Sequence, residues 1–257
     1  MRALRQVHRG VPAPGPYASA MIREPFRFRQ TFATVLADEP KHIAAAKEGM
    51  IQARQVLEAY IAHDPFFQVT FDPYTPDSDE VIIRRMADAA ARAGVGPMAA
   101  VAGAIAWTGV EAMADAGALF GVIDNGGDIA LISDRPVRVG VHAGEARLSD
   151  RIAFVVPPQK NILGICTSSA SVGPSVSFGM ADAVTVFSSD VALADAWATS
   201  VCNQIRPDDQ SVLERVNASE VSGIFAIMGE TLVKWGNLPP LVPAKVDEQL
   251  ISAGDRL

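Results

Sequence analysis

Asp195 and Thr199 lie four residues apart in the run DVALADAWATSV, whose composition is that of a helix. Residues i and i+4 stack on one helical face, so a carboxylate and a hydroxyl project side by side. The stretch upstream, TSSASVGPSVS, is crowded with hydroxyls: Thr167, Ser168, Ser169, Ser171, Ser175 and Ser177. Two oxygen ligands beside a loop rich in backbone N–H donors suit a hard cation bridging to a phosphate. The bland alternative sets Asp195 near a helix start, where a carboxylate complements the dipole, and simply buries Thr199. The uncharged hydroxyl cluster, which a solvated loop does not require, favours the ligand-binding reading.

A second constellation is DNGGD, residues 124–128. A glycine turn between two strands accounts for Asn125-Gly126 by itself. The functional reading is that Gly126 and Gly127 bare their backbone between Asp124 and Asp128, where a ligand's phosphates or sugar hydroxyls can lie. Cys166 abuts the serine stretch, but His8, His42, His63 and His142 are scattered in the sequence, so it reads as a buried structural thiol rather than a nucleophile.

These residues need elements to hold them. Residues 10–25 are rich in Pro and Gly and read as extended; from Phe26 apolar residues alternate through Phe28, Phe32, Thr34 and Leu36, the period of a half-buried strand. Pro40 opens a long helix with Ile43, Ala46, Met50, Ala53 and Leu57 on one face, and Asp64-Pro65 ends it. A second helix is expected over 79–92 and a third over 94–117, the latter surfaced almost all round by Ala and Gly. Glycine costs about 0.5–1 kcal/mol in a helix interior, so Gly103 and Gly109 imply that a backbone or ligand approaches closely. Short strands are expected at 119–123, 129–133, 137–142, 152–156, 162–166 and 183–187, a helix through the 190s, a short helix at 211–216, and a closing pair at 223–228 and 231–235. Helices followed by a run of strands predict an α+β fold with a mostly antiparallel sheet. The division is an extended N-terminal arm over 1–25, one domain over 26–240 and a C-terminal tail over 241–257.

Composition bounds the function. The chain has 257 residues, 49% hydrophobic and 20% charged, enough for one large core. A net charge of −7 argues against nucleic acid, because neutralising a phosphate backbone takes a basic face. The partner expected is therefore a small phosphate-bearing ligand, with a homo-oligomer left open. The N-terminus has arginines without a continuous apolar run, and the apolar stretch 98–107 is too short to span a bilayer. No membrane association and a cytoplasmic location are expected, and two cysteines fit a reducing compartment.

Taken together, VGPMAAVAGAIA (95–106), NGGDI (125–129), the Thr-Ser-Ser turn, and DAVTV leading to ADAWAT resemble the ApbE-like superfamily, most closely its uncharacterised branch of small prokaryotic proteins. ApbE itself is a flavin transferase that binds FAD and moves FMN onto a Thr or Ser of a target protein, with Mg²⁺ on the pyrophosphate. The resemblance implies Asp195 and Thr199 as metal ligands, and Asn125, Gly126, Gly127, Asp128, Thr167, Ser168 and Ser169 as the cradle for FAD or a related ligand. The chain departs from the transferases at two places. Residues 171–183 lack the histidine of their H-x-x-D-P stretch, leaving Asp182 or Ser177 as the substitutes, and no lysine occurs between Lys47 and Lys160. A general base contributes about 10²–10⁴-fold in rate, so its absence fits ligand binding with slow or no FMN transfer. The rival expectation is a ligand-sensing or assembly module without flavin.

Overall fold

A computed structural model describes residues 21–169 and 181–244. Ser171, Ser175 and Ser177, with most of the arm and tail, lie outside the described residues.

The chain enters through a hairpin where the apolar alternation had implied one strand. Strands β1 (Ile22–Phe28) and β2 (Thr31–Ala37) pair antiparallel across a two-residue turn at Arg29 and Gln30. Arg29 takes a left-handed φ of 53°, a conformation that costs a non-glycine residue about 1–2 kcal/mol, and no Gly, Asn or Pro marks the turn. Because β1 begins at Ile22, the first strand takes in part of the stretch read as an arm.

Helix α1 (Pro40–His63) starts with proline in its first turn and ends at Asp64, burying Ile43, Ala46, Met50, Ala53 and Leu57. A single turn, α2 (Phe66–Val69), and α3 (Val81–Ala93) follow. A 3₁₀ turn, Pro97–Ala100, runs into α4 (Val101–Asp115). By length and composition the stretch Pro97–Asp115 is long and apolar enough to cross a membrane, longer than the 98–107 segment judged from sequence. Here it packs between α1, α5 (Val191–Gln204) and the sheet. Its small residues make that packing possible: a Cβ on Gly109 would collide with Ile123 and stand 2.9 Å from Met50 Cγ.

The remaining strands are β3 (Phe120–Asn125), β4 (Asp128–Ser133), β5 (Val137–Gly140), β6 (Ile152–Val156), β7 (Gln159–Ser168), β8 (Ala183–Ser188), β9 (Val221–Met228), β10 (Thr231–Gly236) and β11 (Leu241–Pro243). The residues expected to form a short helix near 211 make a 3₁₀ turn, Ser211–Arg215. Eight strands form one antiparallel sheet in the order β1-β2-β3-β4-β7-β8-β9-β10, while β11-β6-β5 form a second, so pairing continues past residue 240. Strand alternation sends Ile123, Ala130, Cys166, Val184 and Ala226 into the core under the helices. Their neighbours Val122, Leu131, Ile165, Ala183 and Phe225 form a separate core under the small sheet. The fold is α+β: a helical layer, the large antiparallel sheet and the small sheet.

Candidate functional site

The DNGGD segment is a hairpin turn whose tip is locked from three sides. Asn125 pairs with Asp128 in register, and Gly126 and Gly127 take φ of 72° and 103°, both in the region that favours glycine. The Gly127 N–H donates to an Asp124 carboxylate oxygen at 2.9 Å, and the Thr167 N–H donates to the Gly127 carbonyl at 3.2 Å. Asn125 donates from Nδ2 to the Ala102 carbonyl at the start of α4, 3.0 Å away. The turn is thus tied to β7 and to the helical layer, which sets where Asp128 points. Asp128 shares the face of Ala130 and Ile132, toward the helices, and is in register with Cys166.

Asp195 reaches the same place from α5. Its Oδ2 accepts the Gly103 N–H at 2.8 Å, and the Ala102 N–H also bonds the carboxylate. These belong to the first turn of α4, whose N–H groups have no intrahelical acceptor. The dipole that Asp195 complements is therefore that of α4; α5 is capped by Asp190, which accepts the Leu193 N–H at 2.9 Å. The approach depends on Gly103, where a Cβ would lie 2.8 Å from the Val191 carbonyl oxygen and 2.9 Å from Asp195 Cβ. The close neighbour implied by the small residues of α4 is thus the α5 backbone.

Two carboxyl groups are buried together by this geometry. Burial pushes Asp128 well above the usual carboxylate range, and the carboxyls of Asp195 and Asp124 push it further. Burial raises Asp195 to about 7, against the opposing pull of the Gly103 and Ala102 N–H groups. Cys166, beside Asp128 and fully buried, is raised by burial and then by Asp128; its Sγ lies 3.6 Å from the Val191 carbonyl oxygen. The Thr167 N–H and the Cys166 thiol bond the Asp128 carboxyl and pull the other way, yet its Oδ1 is buried with no hydrogen-bond partner among the described residues. A buried carboxylate oxygen without a donor costs several kcal/mol unless the group is protonated or meets a cation.

The other expected residues divide between the two faces of the sheet. Ser168 and Ser169 are buried, Ser168 on the same face as Cys166. Thr167 points the other way and shares a hydrogen bond with Thr185 at 2.9 Å, so the cradle can use its backbone but not its hydroxyl. Thr199 is half-buried one turn after Asp195 on α5. Asp182 accepts the Gly229 N–H of the β9–β10 turn at 2.6 Å, a contact that holds two strand ends together. The backbone donors Ala102 and Gly103 leave no mark in the sequence beyond a glycine inside an apolar helix.

The donor set fits a hard divalent cation in part. Asp128 and Asp195 supply oxygens, one of them unpartnered, yet no group of three or more His, Cys, Asp or Glu among the described residues could hold a metal ion. A six-oxygen shell would need Thr199, backbone carbonyls, water and an anionic ligand as well.

A sequence profile described as "AbpE bacteria" matches residues 27–256. The chain belongs to that ApbE-like family. It is 71% identical over 238 residues to a UPF0280 protein of Methanoregula boonei, covering 92% of this chain and all of the relative. A UPF0280 protein of Methanosphaerula palustris is 60% identical over 235 residues, covering 91% and 99%. The apo form of the flavinyl transferase ApbE from Pseudomonas stutzeri superposes with a TM-score of 0.53 at 13% identity, over 91% of this chain and 98% of that one. The ApbE-like architecture is thus shared with a flavinyl transferase at an identity that speaks for the fold alone.

Proposed function

We propose that this ApbE-like protein binds FAD or a related phosphate-bearing small molecule together with a divalent cation beside Asp128 and Asp195. The reading rests on one observation above all: Asp128 Oδ1 is buried without a donor next to a second buried carboxyl group. A cation there would neutralise the pair and attract phosphate oxygens, with Asp195 and Thr199 as the α5 ligands. The turn at Gly126 and Gly127 offers backbone without side chains at the same edge of the sheet, where the buried Ser168 and Ser169 also lie. When bound, the cation would supply charge neutralisation at the phosphates. The chain's own contribution is to fix Asp195 under the first turn of α4 and to bury Asp128 near it.

Rapid FMN transfer is not part of this reading. A hydroxyl acceptor needs a base within hydrogen-bond reach, and residues 171–183 contain no histidine. His142 pairs with Asp150 at 3.1 Å, but in the connection between β5 and β6, on the small-sheet side. Asp182 is engaged with Gly229.

FAD titrated against the purified protein, followed by flavin fluorescence, tests the reading. Mg²⁺ should tighten binding at least about tenfold, and Asp128→Asn or Asp195→Asn should remove that gain. Equal affinity with and without Mg²⁺, or variants that keep the full response, would defeat it. No FAD binding and no 350–500 nm absorbance in the protein as purified would favour a module without flavin. In the same samples, mass spectrometry of a Ser/Thr acceptor peptide should show little or no FMN-sized adduct.

A further inference from the structure

One surface away from the carboxylate pair combines features that a protein exposed only to water would avoid. Among the described residues seven large hydrophobic side chains are exposed, and four of them fall between residues 66 and 81: Phe66 at 56%, Val69 at 62%, Phe71 at 69% and Val81 at 61%. Isolated exposed hydrophobics are ordinary, but Phe66 and Val69 stand at i and i+3 of one helical turn with Phe71 two residues on, and such a group marks a contact surface.

The segment is held firmly beneath. Phe67 is fully buried, its ring edge-on to Tyr60 at 5.1 Å and to Tyr74 at 6.3 Å. Tyr74 in turn meets the exposed Phe66 ring at 5.5 Å. The hydroxyls of Tyr60 and Tyr74 donate to one Asp64 oxygen at 3.0 and 2.8 Å. On its other side the segment presses its Thr70 carbonyl and Phe71 Cα against Gly96, at the entry to the 3₁₀ turn and α4. Side chains presented from such a base lose little further entropy when covered, which favours binding.

Charge selects the occupant. Residues 64–83 contain Asp64, Asp72, Asp77, Asp79 and Glu80 and no Lys, Arg or His. The Tyr74 hydroxyl keeps the Asp64 carboxyl below the ordinary carboxylate range, so it stays ionised. Asp79 pairs with Arg84 at 2.6 Å, but both side chains are largely exposed, 95% and 62%, and the pair is readily exchanged. An anionic lipid surface or a nucleic acid is repelled by such a rim. A second copy placed symmetrically would set like charges against each other.

We infer that the apolar, acid-rimmed surface of residues 64–81 docks a basic, apolar segment of a partner polypeptide. This surface is distinct from the proposed ligand site, although Gly96 joins it to the helix start that Asp195 holds.

The test uses the full chain and a labelled 18-residue amphipathic peptide of Leu and Lys, read by fluorescence anisotropy, beside a Lys/Gly peptide of equal charge and a Leu/Glu peptide of equal hydrophobicity. The Leu/Lys peptide should bind at least about tenfold more tightly than either control. The Phe66→Ser/Val69→Ser double variant, changed only at exposed side chains, should lose about tenfold of that affinity, and Asp77→Asn/Glu80→Gln should lose less. FAD affinity should be unchanged in both variants, so failure here leaves the ligand reading standing and failure there leaves this one. Equal binding of the Lys/Gly peptide, or full affinity in the Phe66→Ser/Val69→Ser protein, overturns the inference. So does sedimentation showing self-association that the same double variant abolishes, because a second copy would then be the occupant.

Discussion

The two faces of the large sheet solve burial in different ways. Under the small sheet, Phe154 on β6 meets Phe187 and Phe225 edge-to-face at 4.9 and 5.5 Å, and the one prominent polar pair, Thr167 with Thr185, satisfies itself. Under the helices the same strands bury Asp128 beside Cys166, with Asp195 brought against them and one oxygen left without a donor. Adjacent residues of β7 therefore have opposite duties, since Cys166 and Ser168 face the polar cluster and Thr167 faces the apolar one. The lesson is that the small-sheet face is built for stability, while the helical face carries a polar cost that a ligand would relieve.

Substitutions on each face should separate stability from binding. The largest effect is expected from Phe154→Ala, which empties the centre of the aromatic cluster and should lower unfolding free energy by about 3–5 kcal/mol. Denaturant titration measures that loss, and the protein that remains folded should bind FAD with wild-type affinity; a parallel loss of binding would erase the distinction between faces.

Gly103→Ala comes next. The added methyl would press on the Val191 carbonyl and Asp195 Cβ at 2.8 and 2.9 Å, with an expected cost of about 1–3 kcal/mol. Unlike Phe154→Ala, it should also weaken ligand binding per folded molecule, because the collision displaces Asp195. Wild-type affinity in the folded fraction would argue that Asp195 has only a structural role.

A third experiment reads the carboxyl pair through pH. In the unfolded chain Asp195 loses its proton near 3.8, the ordinary carboxylate value, whereas the folded state holds it to about 7. Across that window folding takes up a proton, so the group's stabilising contribution is fully present at the acid end and is lost as pH rises toward about 7. Wild-type Tm should accordingly fall from pH 5 to 7.5 relative to Asp195→Asn, and saturating Mg²⁺ with ligand should flatten the difference. Identical pH profiles for the two proteins would remove the buried ionisation from the account. The smallest effect is expected from Thr185→Val, which should cost about 1–2 kcal/mol because it leaves Thr167 without its partner, and which should not change ligand affinity.

Much of this organisation was legible where local chemistry decides it. Pro40 and Asp64-Pro65 bracket α1, and Asn125-Gly126-Gly127 marks the β3–β4 turn because few other residues tolerate positive φ twice in succession. The Arg29-Gln30 turn is not legible, because its residues carry no turn signature and the alternation on either side reads as one strand. In the candidate site, the helix carrying Asp195 and Thr199 is legible, and the ApbE-like resemblance implies the nearness of the NGGD turn. The grip of Asp195 on Gly103 was not, because it joins residues 92 apart in sequence. The orientation of the Thr167 hydroxyl also needs the register of β7 with β8, which no local pattern specifies.

The hydrogen bond from Gly103 to Asp195 has a further consequence for how the site could be watched. The carboxylate that steadies the first turn of α4 is also the proposed cation ligand, so a cation that draws on its electron density weakens the hydrogen bond it accepts from the Gly103 amide. That amide should then exchange with deuterium faster, and its proton resonance should move upfield, when ligand and Mg²⁺ are added together. One backbone position would thus act as an occupancy gauge, readable without flavin absorbance or enzymatic turnover.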